Sequence, residues 1–207
     1  MYWINNVFWK RLILKSKIIR VMIQNPMVWV DCEMSGLDPE KHELLEVAVL
    51  ITDGDLNILD KVIVIKGFER VIHHSENILN SMNSWCKKHH EEACGLIQSV
   101  LLSPYTLAST ESDFLKYIQK YVPKPKVAML AGNSVHVDKA FLLRYMPSIV
   151  EYLHYRIIDV STIKELAKCW NYEVFQNAPK KKASHRAMDD VRESIEELRY
   201  YKKTWLK

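Results

Sequence analysis

The sequence predicts an α/β fold, a mixed β-sheet flanked by α-helices, and three observations carry that expectation. Apolar runs over 27–34 and 46–52 read as strands. The turn signal Asp53-Gly54-Asp55 follows, and a third run over 56–65 ends in Val-Ile-Val-Ile, so the chain is expected to double back as an antiparallel hairpin. Further on, short apolar segments at 127–131 and 156–159 alternate with helical patterns, the rhythm of strand–helix crossovers. With 207 residues and 48% hydrophobic composition, the chain is sized for one globular domain with a substantial core.

The remaining elements follow in order. Residues 75–122 are helical in pattern with a break at Ser103-Pro104, and Val-Pro-Lys-Pro-Lys reads as a loop. The strand at 127–131 is stopped by Gly132-Asn133. Residues 136–146 are helical up to Pro147. The strand at 156–159 leads into a helix over 162–170. The loop Asn-Ala-Pro-Lys-Lys-Lys-Ala-Ser precedes a final helix over 186–205. Lys180, Lys181 and Lys182 read either as a solvated loop or as a phosphate contact or nuclear signal. No C-x-x-C pair occurs among the four cysteines, which argues against a disulfide framework and for reduced thiols inside a cell.

The net charge of +4 is unevenly distributed. Residues 1–26 carry five basic groups and no acid, whereas the other 181 residues carry 24 basic and 25 acidic groups. A nearly neutral body excludes a protein that coats long nucleic acids, so any nucleic-acid contact is expected to be small and local. Residues 1–26 form a basic, apolar extension without an apolar run long enough for a membrane span or a secretory signal. Its lack of acids suits a mitochondrial targeting segment, and translation from Met22 or Met27 is the alternative. The main domain is taken as 27–207.

Four acids stand in unusual places. Alternate residues of a strand share a face, so Asp31 and Glu33 project together while Cys32 turns away. Two adjacent like charges are unfavourable unless neutralised, and a divalent cation with oxygen ligands is one solution; a hydrated strand end is the other. In the helix at 136–146, Asp138 lies on the stripe of Phe141, Leu142 and Tyr145. It is either an inward-facing ligand or an acid favoured by the helix N-terminus. In the final helix Asp190 flanks the stripe of Met188, Val191, Ile195 and Leu198, whereas Asp189 points to solvent. His185 stands five residues before Asp190, where a loop residue can reach over a site. Two metal ions roughly 3.5–4 Å apart need shared carboxylates, and a neighbouring His can take a proton from water. Together these groups fit phosphodiester hydrolysis.

The order Asp-x-Glu, Asp, then His-x4-Asp resembles the DEDD-type 3′–5′ exonucleases of the histidine subclass. The stretches VDCEMSGLDPE, AGNSVHVDKAFL, HYRIIDVSTIKELAKCW and SHRAMDDVRESIEELRYY are similar to the oligoribonuclease family in its eukaryotic form, over about residues 27–207. The resemblance implies a ribonuclease-H-like fold, a homodimer, and Mg²⁺- or Mn²⁺-dependent release of 5′-mononucleotides from RNAs of two to five nucleotides. By the same resemblance Asp31, Glu33, Asp138 and Asp190 are the metal ligands, two ions per site, and His185 is the general base. Leu37 matches a wedge against the bases and Trp85 an aromatic that stacks on one. His90 matches a position near the 3′ end, and Ser134, Arg156 and Ser161 match the 5′-phosphate contacts. Tyr155 matches a residue donated by the partner subunit.

Physical chemistry agrees with these implied roles. Stacking accepts any base, Arg grips phosphate bidentately, and a terminal-phosphate grip limits substrate length. The implied partners are short single-stranded RNAs, with short DNA as an extension, and no membrane. The implied location is mitochondrial, cytoplasmic or both. Two departures stand out. Cys32 occupies a position where the family leads one to expect Leu, and FERVIHHSENILN is unlike the expected approach to the Trp85 helix. His73 and His74 are expected to be solvated. The run from Cys86 through His89 and His90 to Cys94 fits no standard zinc spacing and reads as a helix carrying one aromatic contact. Two other functions are carried forward: trimming or proofreading of longer nucleic acids, and a catalytically silent binding scaffold on the same fold.

Overall fold

A computed structural model describes residues 23–59, 67–88, 90, 95–180 and 186–206. Among these residues five strands form a single sheet in the order β3-β2-β1-β4-β5. They are β1 (Met27–Met34), β2 (Leu44–Thr52), β3 (Phe68–Val71), β4 (Met129–Gly132) and β5 (Ile157–Asp159). β1 pairs antiparallel with β2, and β2 antiparallel with β3, while β1–β4 and β4–β5 are parallel. The sheet is therefore mixed, as expected, with its parallel half built by helical crossovers.

Strand periodicity divides the core in two. Val28, Val30 and Cys32 of β1 join Val47, Val49 and Ile51 of β2 on one face. That face is covered by α4 (Leu107–Tyr121), α5 (His136–Tyr145) and α6 (Pro147–Tyr152), through Phe114, Ile118, Phe141, Leu142 and Ile149. Trp29, Ala48 and Leu50 face the other way, onto Val160 and Ala167 of α7 (Val160–Trp170) and Val191, Ile195, Leu198 and Tyr201 of α9 (Ala187–Thr204). Covered on both faces, β2 is buried along all nine residues. The Trp29 indole N–H donates to Thr52 Oγ1 at 2.9 Å within this core.

The remaining helices are short: α1 (Glu76–Asn80), α2 (Ser84–Lys88), α3 (Leu96–Leu102) and α8 (Tyr172–Gln176). Leu79, Met82, Cys86, Leu96 and Val100 pack under β2's Leu45 as a third cluster.

The structure corrects several expectations. Among the described residues the third strand of the sheet is Phe68–Val71, beyond the expected 56–65. In the part of 56–65 that is described, the chain does double back after Asp53. It makes an isolated antiparallel bridge, Thr52 with Ile58, beyond the stretch Glu46–Val49 of β2 that pairs with β3. Residues 60–66 lie outside the described residues. Pro147 does not only end a helix; it starts α6 at the first helical position, where its missing N–H is not needed. The short α8 lies between the expected helix over 162–170 and the loop that begins at Asn177, where no element is expected; Asn171 Oδ1 caps it by accepting from Val174 N. His74 is half-buried and donates from Nε2 to Leu44 O at 2.9 Å, rather than being solvated. His89, Cys94, Lys181, Lys182, His185 and residues 1–22 lie outside the described residues.

Candidate active site

β1 leaves the core where its last residues turn polar. Asp31 and Glu33 follow Trp29 on the face toward α9, as alternation requires. Helix α9 brings Asp190 to the same place, one residue before the core-facing Val191. Asp31, Glu33 and Asp190 each offer a carboxylate oxygen within 4.8 Å of the others. Asp189 turns outward and pairs with Arg192 at 3.3 Å, the solvated position expected of it.

Asp138 is held differently. It lies in the first turn of α5, on the opposite side of the sheet, and is buried. Its Oδ1 accepts from the backbone N–H of Cys32 at 2.9 Å, which ties α5 to β1 between the two strand acids. Cys32 thus turns its side chain into the core while its backbone N–H touches the acid set. Among the described residues the close three-carboxylate group is therefore Asp31, Glu33 and Asp190, with Asp138 joined to it through Cys32.

The electrostatics show what crowding does to these acids. Burial pushes the Glu33 carboxyl up to about 8, with Glu46, Asp190 and Asp138 adding to the rise and Arg186 opposing it. Burial likewise pushes Asp138 up to about 6, against the donation from Cys32 N. An all-oxygen donor set whose own charges repel fits a hard divalent cation, and such a cation would be held by Asp31, Glu33 and Asp190.

The sequence reading missed two residues here. Glu46 of β2 is fully buried and directly opposite Glu33 in the β1–β2 register. Arg186, at the N-cap of α9, grips it with two bonds, from NH2 to Oε1 at 2.7 Å and from Nε to Oε2 at 3.3 Å. A signal existed: Glu46 is the one charged residue in the run LLEVAVLIT.

Of the other expected site residues, His90 lies beside the acids. His90 is buried, donates from Nε2 to Met34 O at 2.9 Å, and has Nδ1 3.8 Å from Glu33 Oε2. Leu37 and Trp85 are 76% and 64% exposed, large apolar groups left to solvent. On the far side of β4, Ser134 and Ser161 bring their hydroxyls to 3.1 Å. Asp159 Oδ1 orders both, accepting from Ser134 N at 2.9 Å and Ser161 N at 3.0 Å. His136 pairs with the other Asp159 oxygen at 3.3 Å. Arg156 is exposed beside Tyr155, its guanidinium 5.3 Å from the ring centre, and Tyr155 is 71% exposed and stacks on His154.

A sheet ordered 3-2-1-4-5, with carboxylates gathered where its first strand meets its last helix, defines a nuclease of the ribonuclease-H-like class. The chain belongs to the exonuclease family, whose pattern matches residues 28–198. Within that family it stands with the oligoribonucleases. It is 51% identical to the mitochondrial oligoribonuclease of Homo sapiens over 176 residues, 85% of this chain and 71% of that one. It is 47% identical to the probable oligoribonuclease of Schizosaccharomyces pombe, covering 93% and 75% of the two chains. It is 45% identical to the oligoribonuclease of Haemophilus influenzae, covering 87% and 95%. Among solved structures, exonuclease I without ligand superposes with a TM-score of 0.64 at 14% identity, over 88% of this chain and 43% of that one. Exonuclease I bound to a dA16 oligonucleotide superposes with a TM-score of 0.65 at 15% identity. The chain spans about two-fifths of the length of exonuclease I, and that likeness concerns the fold.

Proposed function

We propose that this chain hydrolyses RNAs of two to five nucleotides from the 3′ end to 5′-mononucleotides. The observation that carries the reading is the convergence of Asp31, Glu33 and Asp190 in a chain about half identical to oligoribonucleases. The resemblance assigns Asp31, Glu33, Asp138 and Asp190 to two divalent ions, Mg²⁺ or Mn²⁺. Bound there, such ions supply Lewis acidity for activating water and stabilising the leaving oxygen. The chain's own residues do the rest. His185, adjacent in sequence to Arg186, is the proposed base that takes the proton from water. Trp85 offers a face on which the 3′ base stacks, and Leu37 wedges against its neighbour.

Length selection comes from a grip on the 5′ phosphate by Ser134, Ser161 and Arg156. Ser134 precedes Asp138 by four residues, and Asp138 in turn bonds Cys32 between the two strand acids. The proposed grip is thus close along the chain to the acid that bonds the metal-site strand, which is consistent with a short substrate. The near-neutral body agrees, because so short a substrate presents few phosphates.

The homodimer reading is supported by a run of aromatic groups left open near β5, α7 and α8. Tyr155, Trp170 and Tyr172 are 71%, 72% and 57% exposed. In that reading Tyr155 completes the partner's phosphate site. A mitochondrial location is supported by the relatives named mitochondrial and by the basic N-terminal segment. Among the described residues no helix is long and apolar enough to cross a membrane.

The test is a cleavage time course on 5′-labelled RNAs of two, five and twenty nucleotides, with Mg²⁺ or Mn²⁺ and with EDTA. Fast metal-dependent loss of the dinucleotide, with little action on the twenty-mer, is expected. Preference for the twenty-mer would shift the role to trimming or proofreading. Binding without turnover would make the chain a silent scaffold.

A further inference from the structure

One buried carboxylate stands behind both serines of the phosphate grip. Glu197, on α9, is 2% exposed. Its Oε2 accepts from Asn133 Nδ2 at 3.0 Å. Its Oε1 accepts from Tyr201 OH at 3.2 Å and pairs with Lys164 Nζ at 3.4 Å. Asn133 immediately precedes Ser134, and Lys164 follows Ser161 by three residues, one turn along the same face of α7. These two partners of Glu197 are therefore one and three residues along the chain from the two serines.

This placement is more than helix packing needs. Burying a carboxylate is unfavourable by several kcal/mol unless it is well paired. Val191, Ile195 and Leu198 of α9 face inward as apolar groups, and the buried Ser194 turns its hydroxyl back to Asp190 O of the same helix, so an apolar side chain at 197 would serve packing alone. What needs holding is the turn after β4. Ser134 has φ of 50°, a left-handed conformation that a side-chain-bearing residue keeps only when its surroundings enforce it. Gly132 cannot help by bulk, because a Cβ there would meet Val30 O at 2.7 Å. Asp159 fixes the backbone N–H groups of both serines, and the Asn133 amide beside Ser134 is fixed in turn by Glu197.

We propose that Glu197 is a positioning residue for recognition of the substrate's 5′ phosphate. Through Asn133 and Lys164 it holds Ser134 and Ser161 in the juxtaposition that grips the phosphate, without itself reaching the RNA. The inference rests on reading these serines as the 5′-phosphate site.

The experiment compares diadenylate with a 5′ phosphate and with a 5′ hydroxyl, using the full chain. Wild type is expected to favour the phosphorylated form. In Glu197→Gln, KM for the phosphorylated dinucleotide should rise about tenfold, the scale of one lost charged contact, with kcat held within about twofold. Both parameters for the hydroxyl form should stay unchanged. Asn133→Ala should reproduce the selective KM rise if Glu197→Gln folds poorly. Tyr201→Phe removes a donor but neither arm toward the serines; it should lower the melting temperature and leave the ratio of the two substrates intact. Equal losses on both substrates, or an unchanged ratio in both Glu197→Gln and Asn133→Ala, would overturn the inference alone. A wild type indifferent to the 5′ phosphate would overturn the serine reading and this inference with it.

Discussion

Glu33 and Glu46 face each other across the antiparallel pair of β1 and β2, two carboxyls at one register position on the face that packs against α9. Glu46 contributes to the raised Glu33 carboxyl, second only to burial. Arg186 offsets Glu46 with its two-bond grip and so fastens the N-cap of α9 to the sheet. The same contact that balances a buried charge therefore sets where the helix carrying Asp190 begins.

Removing that balance should be costly. Arg186→Met leaves Glu46 buried without its main cation and should destabilise the fold by about 3 kcal/mol, the low end for a broken buried pair because Arg186 is partly exposed. Pairing it with Glu46→Gln should recover most of the loss. Urea unfolding of the two single variants and the double variant measures this as a coupling energy. Additive losses would show that the pair is not the anchor.

How much of this was legible follows from which signals are local. The pairing of Asp31 with Glu33 on one face is read from strand alternation, and the inward lean of Asp190 from helical spacing; both depend on neighbours along the chain. β3 was missed because Phe-Glu-Arg-Val carries two charges in four residues, while Val-Ile-Val-Ile just before it has the stronger strand signal. The bond between Glu46 and Arg186 spans 140 residues, and no periodicity specifies a partner at that separation. Asp138 was legible as an acid on a buried stripe, but its bond to Cys32 N depends on how α5 docks against β1.

Asp190→Asn should separate function from stability. Turnover of a dinucleotide should fall by about 10²–10³-fold, the usual scale for removing one group that stabilises transition-state charge, here through the divalent ion that Asp190 is proposed to hold. In EDTA the same variant should melt higher than wild type, because one of three crowded carboxylates is gone. Differential scanning calorimetry and single-turnover cleavage on one preparation check both. A variant that loses activity and also melts lower in EDTA would mean that Asp190 serves packing.

Thr52→Val tests the core rather than the site. The hydroxyl of Thr52 accepts from the Trp29 indole N–H, and both side chains are fully buried. Valine preserves shape and leaves a buried donor unmade, which should destabilise by about 1–3 kcal/mol. Chemical denaturation should show the lower midpoint with an unchanged slope, and dinucleotide KM should not move.

The raised acids also set a pH dependence for the metal-free protein. Glu33 titrates at about 8 in the fold against an ordinary value of 4.5, and Asp138 at about 6 against 3.8. Below the ordinary values both states are protonated and neither acid affects stability. Above them the unfolded chain releases its protons first, so the folded state binds more protons and loses stability with every rise in pH. The loss runs from roughly pH 4 to pH 8, with Asp138 complete near 6 and Glu33 continuing to 8. Melting in EDTA should therefore fall steadily between pH 6 and pH 8, and Glu33→Gln should flatten that part of the curve. A divalent cation favours the ionised carboxylates, so its stabilising shift should grow over the same interval. A wild-type melting temperature that rises from pH 6 to pH 8 without metal would contradict the crowding of Glu33 against Glu46, Asp190 and Asp138.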